Sequence, residues 1–556
     1  MSDDETPEER ARETAPEEPG DEAPTTEPSP GVAPPIPRAK GPLPMKAPLA
    51  LACMALTAVF YWLAFPTYDA WPLSLVTFVP FYLALVGQTP RRALGLGLFC
   101  GVLMTCLGFY WLFNMLRTFS GFPAPICAFF VLVVNLYQGG RFALQAWLTA
   151  RAWARGWHPW AAFIVAFAAS ELVFPLLFPW YYAATVHAAP VLMQTADLGG
   201  PILVGCLLLL PNLAIGEVLR ARLERRAWDR RLVGVGAGAL GFLALYGIAR
   251  IGMTTASMDA SPEIRVGYVQ GNMGLFQKRE DPGEGLRRHK RLTADLKNKG
   301  VDLVVWSESS VTFAVPERMY APFMKDRVSA YLGVPTIFGG VVFRNDPDRE
   351  RWFNTALASN AEGDITGRYD KQFLLAFGEY LPFGEAFPKL YKYSPNSGRF
   401  SPGTSDDAIS VFIRGKEHKV TVLICYEDVL PGFTNRLVRK GDPELLVNIT
   451  NDSWFGDTTE PWEHLALAKF RAIEHRRFLV RATNSGVSAI VDANGRTVTH
   501  SGTFKAETGD APVRLMRGKT VYEILGDVPW WLVSIGAFLI AFRRRETQAP
   551  PRPRKI

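Results

Sequence analysis

Apolar and polar residues segregate along this chain over long distances. From Met45 to Met253 apolar runs recur between short polar connections, from about 255 to 525 the chain turns polar, and one last apolar run lies near 528–542. These runs predict helices near 47–65, 71–87, 93–113, 124–148, 159–178, 191–216 and 232–252, and Val528-Pro529-Trp530-Trp531-Leu532-Val533 opens an eighth. A bilayer crossing needs roughly 20 apolar residues, and tilt with interfacial aromatics absorbs a shortfall. An α-helical transmembrane bundle of about eight spans is therefore expected.

The polar segment has a different period. Ile264–Gln270, Asp302–Ser307, Thr336–Phe343, Val420–Tyr426, Leu445–Thr450 and Leu479–Thr483 are short β-branched or aromatic runs that read as strands. Helical patterns at Gly285–Lys299 and His464–Glu474 lie between them. Apolar strands alternating with helices predict buried sheets covered by helices, one large α/β domain.

Charge orients the bundle. With the N-terminus inside, the inner connections 88–92, 151–158 and 217–231 and the tail 543–556 hold two, two, six and six Lys/Arg. The outer connections 66–70, 114–123 and 179–190 hold none, one (Arg117) and none. Basic residues gather on the cytoplasmic side of membrane proteins, so the polar domain is expected outside the cytoplasm. The same asymmetry accounts for most of the basic excess of this +7 chain of 556 residues, so no nucleic-acid partner is needed. Residues 1–40 hold eleven acidic and four basic residues with many prolines, a composition that cannot bury a core. The expected organisation is an acidic cytoplasmic tail over 1–44, spans 1–7 over 45–254, the α/β domain over 255–525, span 8 over 526–545 and a basic tail over 546–556.

Of six cysteines, Cys53, Cys100, Cys106, Cys127 and Cys206 fall in apolar runs, and only Cys425 lies in the polar domain, where it has no disulfide partner. Neither C-x-x-C nor H-E-x-x-H occurs, so the sequence carries no zinc signal and no cofactor is expected. Three short segments place chemistry at strand ends: Glu308 after Val304-Val305-Trp306-Ser307, Lys371 after Gly367-Arg368-Tyr369-Asp370, and Cys425 after Val420–Ile424. A thiol needs a base or a nearby positive charge to attack at neutral pH. Glu308 is suited to take its proton, and Lys371 to stabilise a thiolate and an oxyanion. Taken singly, a cysteine after a strand is more often a small buried apolar residue, and a lone Glu or Lys a solvated charge.

Their order resembles the Glu-Lys-Cys triad of the nitrilase superfamily, and the flanking motifs resemble the bacterial apolipoprotein N-acyltransferases. The segments that carry this likeness are Arg265–Asn272, Gly367–Lys371 running on to Gly378-Glu379-Tyr380, and Leu446–Asp457. His464-Leu465-Ala466, Arg471–Glu474 and Arg481–Gly486 continue it. In the apolar part Leu63-Ala64-Phe65, Trp71-Pro72-Leu73 and Gly108–Leu112 are similar to family segments. The resemblance spans about 45–545 and implies a nitrilase-like α-β-β-α sandwich outside the inner membrane, both termini cytoplasmic, and a chain acting as a monomer. It implies transfer of a fatty acyl chain from a membrane phospholipid, through a Cys425 thioester, to the α-amine of a diacylglyceryl apolipoprotein. Glu308, Lys371 and Cys425 are the implied catalytic residues; Glu379, Tyr426, Glu427 and Trp454 support them, the Tyr426 N–H in an oxyanion hole.

The chain departs from the family pattern in three places. Ser307 stands where proline is frequent before the glutamate, Leu375-Ala376 where Val-Pro is common, and Phe276-Gln277-Lys278-Arg279 where a tryptophan is frequent. The apolar stretch after Lys371, including Leu375, Tyr380, Leu381, Phe383, Phe387 and Tyr393, reads either as core or as a lid that dips into the outer leaflet. Glu171 and Arg141 lie inside predicted spans, where a charge is either functional or structurally paired. Two other readings share parts of this pattern: a membrane-tethered amidase acting on a small amide, and a transporter or receptor with an outer binding domain.

Overall fold

Proline opens many of the apolar helices, in the first turn where its missing N–H breaks no hydrogen bond. The computed structural model describes residues 43–120, 122–274, 281, 283–376, 378–381, 383–392 and 398–543. Most of the acidic tail, the basic tail beyond 543, Phe276–Arg279 and Tyr393 lie outside the described residues. The apolar part comprises α1 (Ala47–Ala64), α2 (Phe78–Leu85), α3 (Pro90–Gly108), α4 (Trp111–Ser120), α5 (Ala124–Trp153), α6 (Pro159–Val173), α7 (Pro190–Met193), α8 (Ala196–Leu223) and α9 (Arg230–Asp259). Among the described residues five helices, α1, α3, α5, α8 and α9, are long and apolar enough to cross a membrane. The segments Trp71–Leu85, Pro159–Val173 and Val528–Phe542 are apolar but shorter.

The boundaries correct two expectations. The run 71–87 is a 3₁₀ turn, Trp71–Leu75, followed by the short α2. The run 93–113 is two helices that part at Phe109-Tyr110, and most of the expected 114–123 connection belongs to α4. Within the connection 179–190 the 3₁₀ turn Tyr182–Val186 is buried throughout. Helices α3 and α5 approach backbone to backbone. A Cβ on Gly101 would lie 2.4 Å from the Gly139 carbonyl, so only glycine permits this contact.

The polar segment forms two sheets. The first runs β13 (Glu507–Arg514), β1 (Glu263–Gln270), β2 (Leu303–Trp306), β4 (Thr336–Asn345), β5 (Glu350–Ser359) and β6 (Ile365–Asp370), with β3 (Ala314–Pro316) on β4. The second runs β12 (Thr497–His500), β11 (Ala489–Val491), β10 (Leu479–Thr483), β9 (Leu445–Thr450), β8 (Lys416–Ile424) and β7 (Ile409–Ile413). Helices α10 (Glu284–Asn298) and α11 (Tyr320–Met324) belong to the first half. The second half carries α12 (Pro431–Gly441), α13 (Glu460–His475) and α14 (Val521–Leu525), and α15 (Val528–Phe542) follows.

Alternation along the strands builds the layers. On β1 Val266 and Tyr268 join a cluster with Val422, Val447 and Val480 of the other sheet, while Val269 packs with Leu296 of α10. On β9 Val447 and Ile449 face that inter-sheet cluster, and Leu446 packs with Leu465 and Ala468 of α13. Each sheet thus buries one face on the other sheet and one on helices, the expected α-β-β-α sandwich.

The sandwich and the bundle share contacts. Trp111 Nε1 of α4 donates to Glu463 of α13 at 3.3 Å, and its ring meets Phe455 edge-on at 5.1 Å. Arg476, just past α13, donates to Asp197 of α8 at 2.6 Å and to Gln194 at 2.6 Å. Arg250 and Tyr246 of α9 converge on the same Asp197 carboxylate. Within the bundle Arg141 pairs with Glu171, whose Oε1 also accepts from the Tyr182 amide at 3.0 Å. The two intramembrane charges singled out in the sequence are each other's partners.

Candidate active site

Three strand ends and one loop deliver the polar groups. Glu308 follows β2 by two residues, in a turn so close to β4 that a Cβ on Gly339 would lie 2.9 Å from the Glu308 Cα. Lys371 directly follows β6, its amide donating to the Asn354 carbonyl at 2.8 Å and its carbonyl accepting from Gly403 at 2.8 Å. Cys425 is not a strand residue. β8 ends at Ile424, and Cys425 opens the 3₁₀ turn Cys425–Val429 with φ +55°. A non-glycine residue held in the left-handed region is backbone strain of the kind that collects at functional turns.

The structure brings Glu308, Lys371 and Cys425 to one cavity of about 260 Å³, together with Glu379, Asn354, Asn451 and Trp454. The lining also includes residues from the apolar part of the chain: Met115 and Leu116 of α4, and Phe178. Lys371 Nζ lies 2.7 Å from Glu379 Oε2 and 3.6 Å from Glu308 Oε1. Asn354 Nδ2 donates to Glu308 at 2.6 Å and to Glu379 at 2.8 Å, holding two carboxylates that would otherwise repel. Burial alone would lower the Lys371 ammonium, but Glu379, Cys425 and Glu308 outweigh it and hold it above the usual lysine range. Burial pushes the Cys425 thiol well above its ordinary value; the Lys371 charge opposes this, and Glu308 and Asp452 add to it. The resting group is a thiol, which needs a base to become a nucleophile.

The supporting residues divide by position. Glu379 and Trp454 line the cavity; Tyr426 and Glu427 do not. Glu427 is fully buried and accepts from the amides of Ile424, Gln372 and Phe373 at 2.8, 2.7 and 3.0 Å and from the Tyr369 hydroxyl at 2.9 Å. It ties the chain after Lys371 to the turn at Cys425. The Tyr426 ring stacks on His464 at 4.5 Å, and its hydroxyl donates to Glu460. Ser307, the unusual residue before Glu308, places its Oγ 3.2 Å from the buried ring of His289. Leu381 is 8% exposed whereas Phe383 and Phe387 are 76% and 62% exposed, so the outward face of the expected lid is carried by the phenylalanines.

Behind Tyr426 lies a buried charge network with no solvent exposure. Arg481 donates to Asp428 at 2.8 Å, Asp452 at 2.9 Å and Asn448 at 2.9 Å. His464 contacts the same two aspartates at 2.8 and 3.2 Å. Burial and Arg481 oppose the charge on His464, Asp428 and Asp452 favour it, and the balance lifts it to about 9. Asp452, Glu460 and His464 each present a ligand atom within 4.8 Å of the others. Arg481 supplies there the positive charge that a metal would bring, so the group is built as an ion-pair network.

Two family models match the chain: the apolipoprotein N-acyltransferase N-terminal domain over residues 57–214, and carbon-nitrogen hydrolase over 265–521. The apolipoprotein N-acyltransferase of Geobacter metallireducens is 30% identical over 504 residues, covering 88% of this chain and 95% of that protein. The chain belongs to the apolipoprotein N-acyltransferase family. The family enzyme of Azotobacter vinelandii is 31% identical, covering 91% of this chain and 96% of its own. Among solved structures, an amidase from Nesterenkonia sp. is 19% identical, with a TM-score of 0.31 over 45% of this chain and 90% of that one.

For this family member, local reading missed Asn354 because β5 carries no strong strand signal. It missed Met115, Leu116 and Phe178 because nothing in an apolar run marks the residues that will face a distant thiol. Asp452, His464 and Arg481 stood inside quoted motifs, but their mutual pairing is a property of the fold.

Proposed function

We propose that this chain moves a fatty acyl group from a membrane phospholipid to the α-amine of a diacylglyceryl-cysteine on an apolipoprotein, with Cys425 as the covalent carrier. The observation that carries this reading is the composition of the cavity. Its lining combines the Cys425 thiol, carboxylates and Lys371 with Met115, Leu116 and Phe178 of the apolar bundle. A site shared between polar chemistry and the membrane part suits a lipid ester better than a small amide, and the match of the N-terminal domain model supports the same choice.

In the first step Glu308 accepts the thiol proton as Sγ attacks the ester carbonyl. Lys371 stabilises the oxyanion, and the Tyr426 N–H is the second donor to it. Collapse breaks the ester bond; the lysophospholipid alkoxide takes the proton from Glu308, and the acyl group stays on sulfur as a thioester. In the second step the acceptor amine attacks the thioester and gives its proton to Glu308. Collapse forms the amide and expels the thiolate, which is reprotonated from Glu308. Glu379 holds Lys371 in place, and Glu427 holds the turn that presents Cys425. The chain crosses the bacterial inner membrane eight times, with the three shorter apolar segments as crossings, both termini cytoplasmic and the sandwich periplasmic. It acts as a monomer. The basic inner connections support this orientation.

The test is mass spectrometry after exposure to acyl-labelled phospholipid. The wild-type chain should gain a hydroxylamine-sensitive acyl mass on Cys425 and release lysophospholipid, and Cys425→Ala should gain none. The same mass on both proteins, or on neither, refutes the mechanism.

A further inference from the structure

Asn448 interrupts the apolar run Leu445-Leu446-Val447-Asn448-Ile449 of β9, and it is fully buried. A buried amide costs free energy unless its hydrogen bonds are made. Strand register sets Leu423 of β8, Asn448 of β9 and Arg481 of β10 side by side in one row. Asn448 Nδ2 donates to the Cys425 carbonyl at 3.0 Å and to the Leu423 carbonyl at 3.3 Å. Its Oδ1 accepts from Arg481 Nη1 at 2.9 Å. The amide thus directs its N–H groups to the end of β8 and to the turn that begins there.

Charge settles which way this amide faces. A guanidinium only donates, so the Asn448 atom beside Arg481 is the oxygen, and the NH₂ group faces Cys425. Arg481 is itself fixed by Asp428 at 2.8 Å and Asp452 at 2.9 Å, all three fully buried. Asp428 belongs to the same 3₁₀ turn as Cys425. Arg481 therefore holds that turn twice, directly at Asp428 and through Asn448 at Cys425.

A carbonyl and the N–H that follows it share one rigid plane. The Cys425–Tyr426 peptide is trans, so its N–H points opposite to its C=O. The carbonyl points to Asn448, which does not line the cavity at Cys425, and the Tyr426 N–H points the other way. Glu427 acts on the other side of Cys425, where it accepts from the Ile424 amide. The hydrogen bonds of a 3₁₀ turn have poor geometry, so an outside donor adds to the hold on this plane.

We propose that Asn448 aims the Tyr426 N–H at the oxyanion that forms on acyl transfer to Cys425, and that Arg481 keeps the Asn448 amide turned for this task. Both are positioning residues, since neither lines the cavity. The inference rests on the acyl-transfer reading given above, in which Lys371 is the other donor, and it names the side chains that set the second one.

The test is isotope-edited infrared spectroscopy of the acyl-enzyme, with single-turnover release of lysophospholipid as the rate. The full-length chain is placed in nanodiscs of phospholipid labelled with carbon-13 at the ester carbonyl, without acceptor. A hydrogen bond to the thioester carbonyl lowers its stretching frequency, so the band reports how well the oxyanion donors are aligned. Asn448→Asp keeps the shape and the oxygen for Arg481, but ionised beside the guanidinium it cannot donate. Asn448→Val adds no charge and suits a strand, so it decides the matter if the aspartate variant fails to fold. Each should slow acylation about 10- to 100-fold, with little change in its dependence on phospholipid concentration. Each should also move the thioester band to higher frequency. A wild-type rate in a folded variant, or a slowed rate with an unmoved band, overturns the proposal. A wild-type chain that forms no thioester sinks the acyl-transfer reading and this inference with it. Unaltered variants beside an acylating wild type sink this inference alone.

Discussion

Lys371 sits closer to Glu379 than to Glu308: 2.7 Å against 3.6 Å. Glu379 holds the lysine more closely than does Glu308, the base of the proposed mechanism. Glu379→Gln should therefore lower the acyl-transfer rate about 10- to 100-fold with little change in fold. Glu379 helps hold the Lys371 ammonium above its usual range, so its removal should move the alkaline limb of the pH–rate profile to lower pH. An unmoved alkaline limb would show that Lys371 is not the titrating group.

Asn354 bridges Glu308 and Glu379 through a single Nδ2. Asn354→Leu removes the donor shared by the two carboxylates, and a rate loss of about tenfold or more is expected. Asn354→Asp adds a third carboxylate and should be worse. Steady-state kinetics alongside circular dichroism separates this from misfolding. Equal rates for the leucine and aspartate variants would contradict an electrostatic role.

Glu463 joins the sandwich to α4 through Trp111, and burial pushes its carboxyl up to about 8 against the bonds from Thr459 and Trp111. Its folded value lies above the unfolded one, near 4.3. Its contribution to stability is full below the unfolded value and is lost as pH rises through about 8. The thermal midpoint should fall between pH 5 and pH 8, with a free-energy change on the order of a few kcal/mol from this group. Glu463→Gln should flatten that fall. Trp111 fluorescence provides a local probe of the same junction.

Phe383 and Phe387 project from the segment after Lys371, while Leu381 points inward. Phe383→Asp combined with Phe387→Asp should cut activity on vesicle-embedded phospholipid by about tenfold or more. Activity on a micellar short-chain phospholipid should change little. Equal losses on both substrates would show that the segment serves folding rather than membrane contact.

The sequence by itself determined whatever depends on short-range pattern and composition. Apolar run length located the bundle helices, because a membrane span is a local property of consecutive residues. β9 and β10 were legible to the residue, since two-sided burial makes a strand apolar throughout. Glu308, Lys371 and Cys425, which the structure brings to one cavity, were singled out by their places near strand ends and by their resemblance to a family motif. Only the tertiary structure decided what distant segments do to one another. It ended β8 at Ile424 and put Cys425 in a left-handed turn, because that conformation is imposed by the packing around Glu427. It turned Glu427 away from the cavity and brought in Asn354 from a strand with no strong signal. It also set Met115, Leu116 and Phe178 in one lining with a thiol of the polar domain. Such contacts join residues hundreds of positions apart, and no local period records which apolar side chain will meet which polar one.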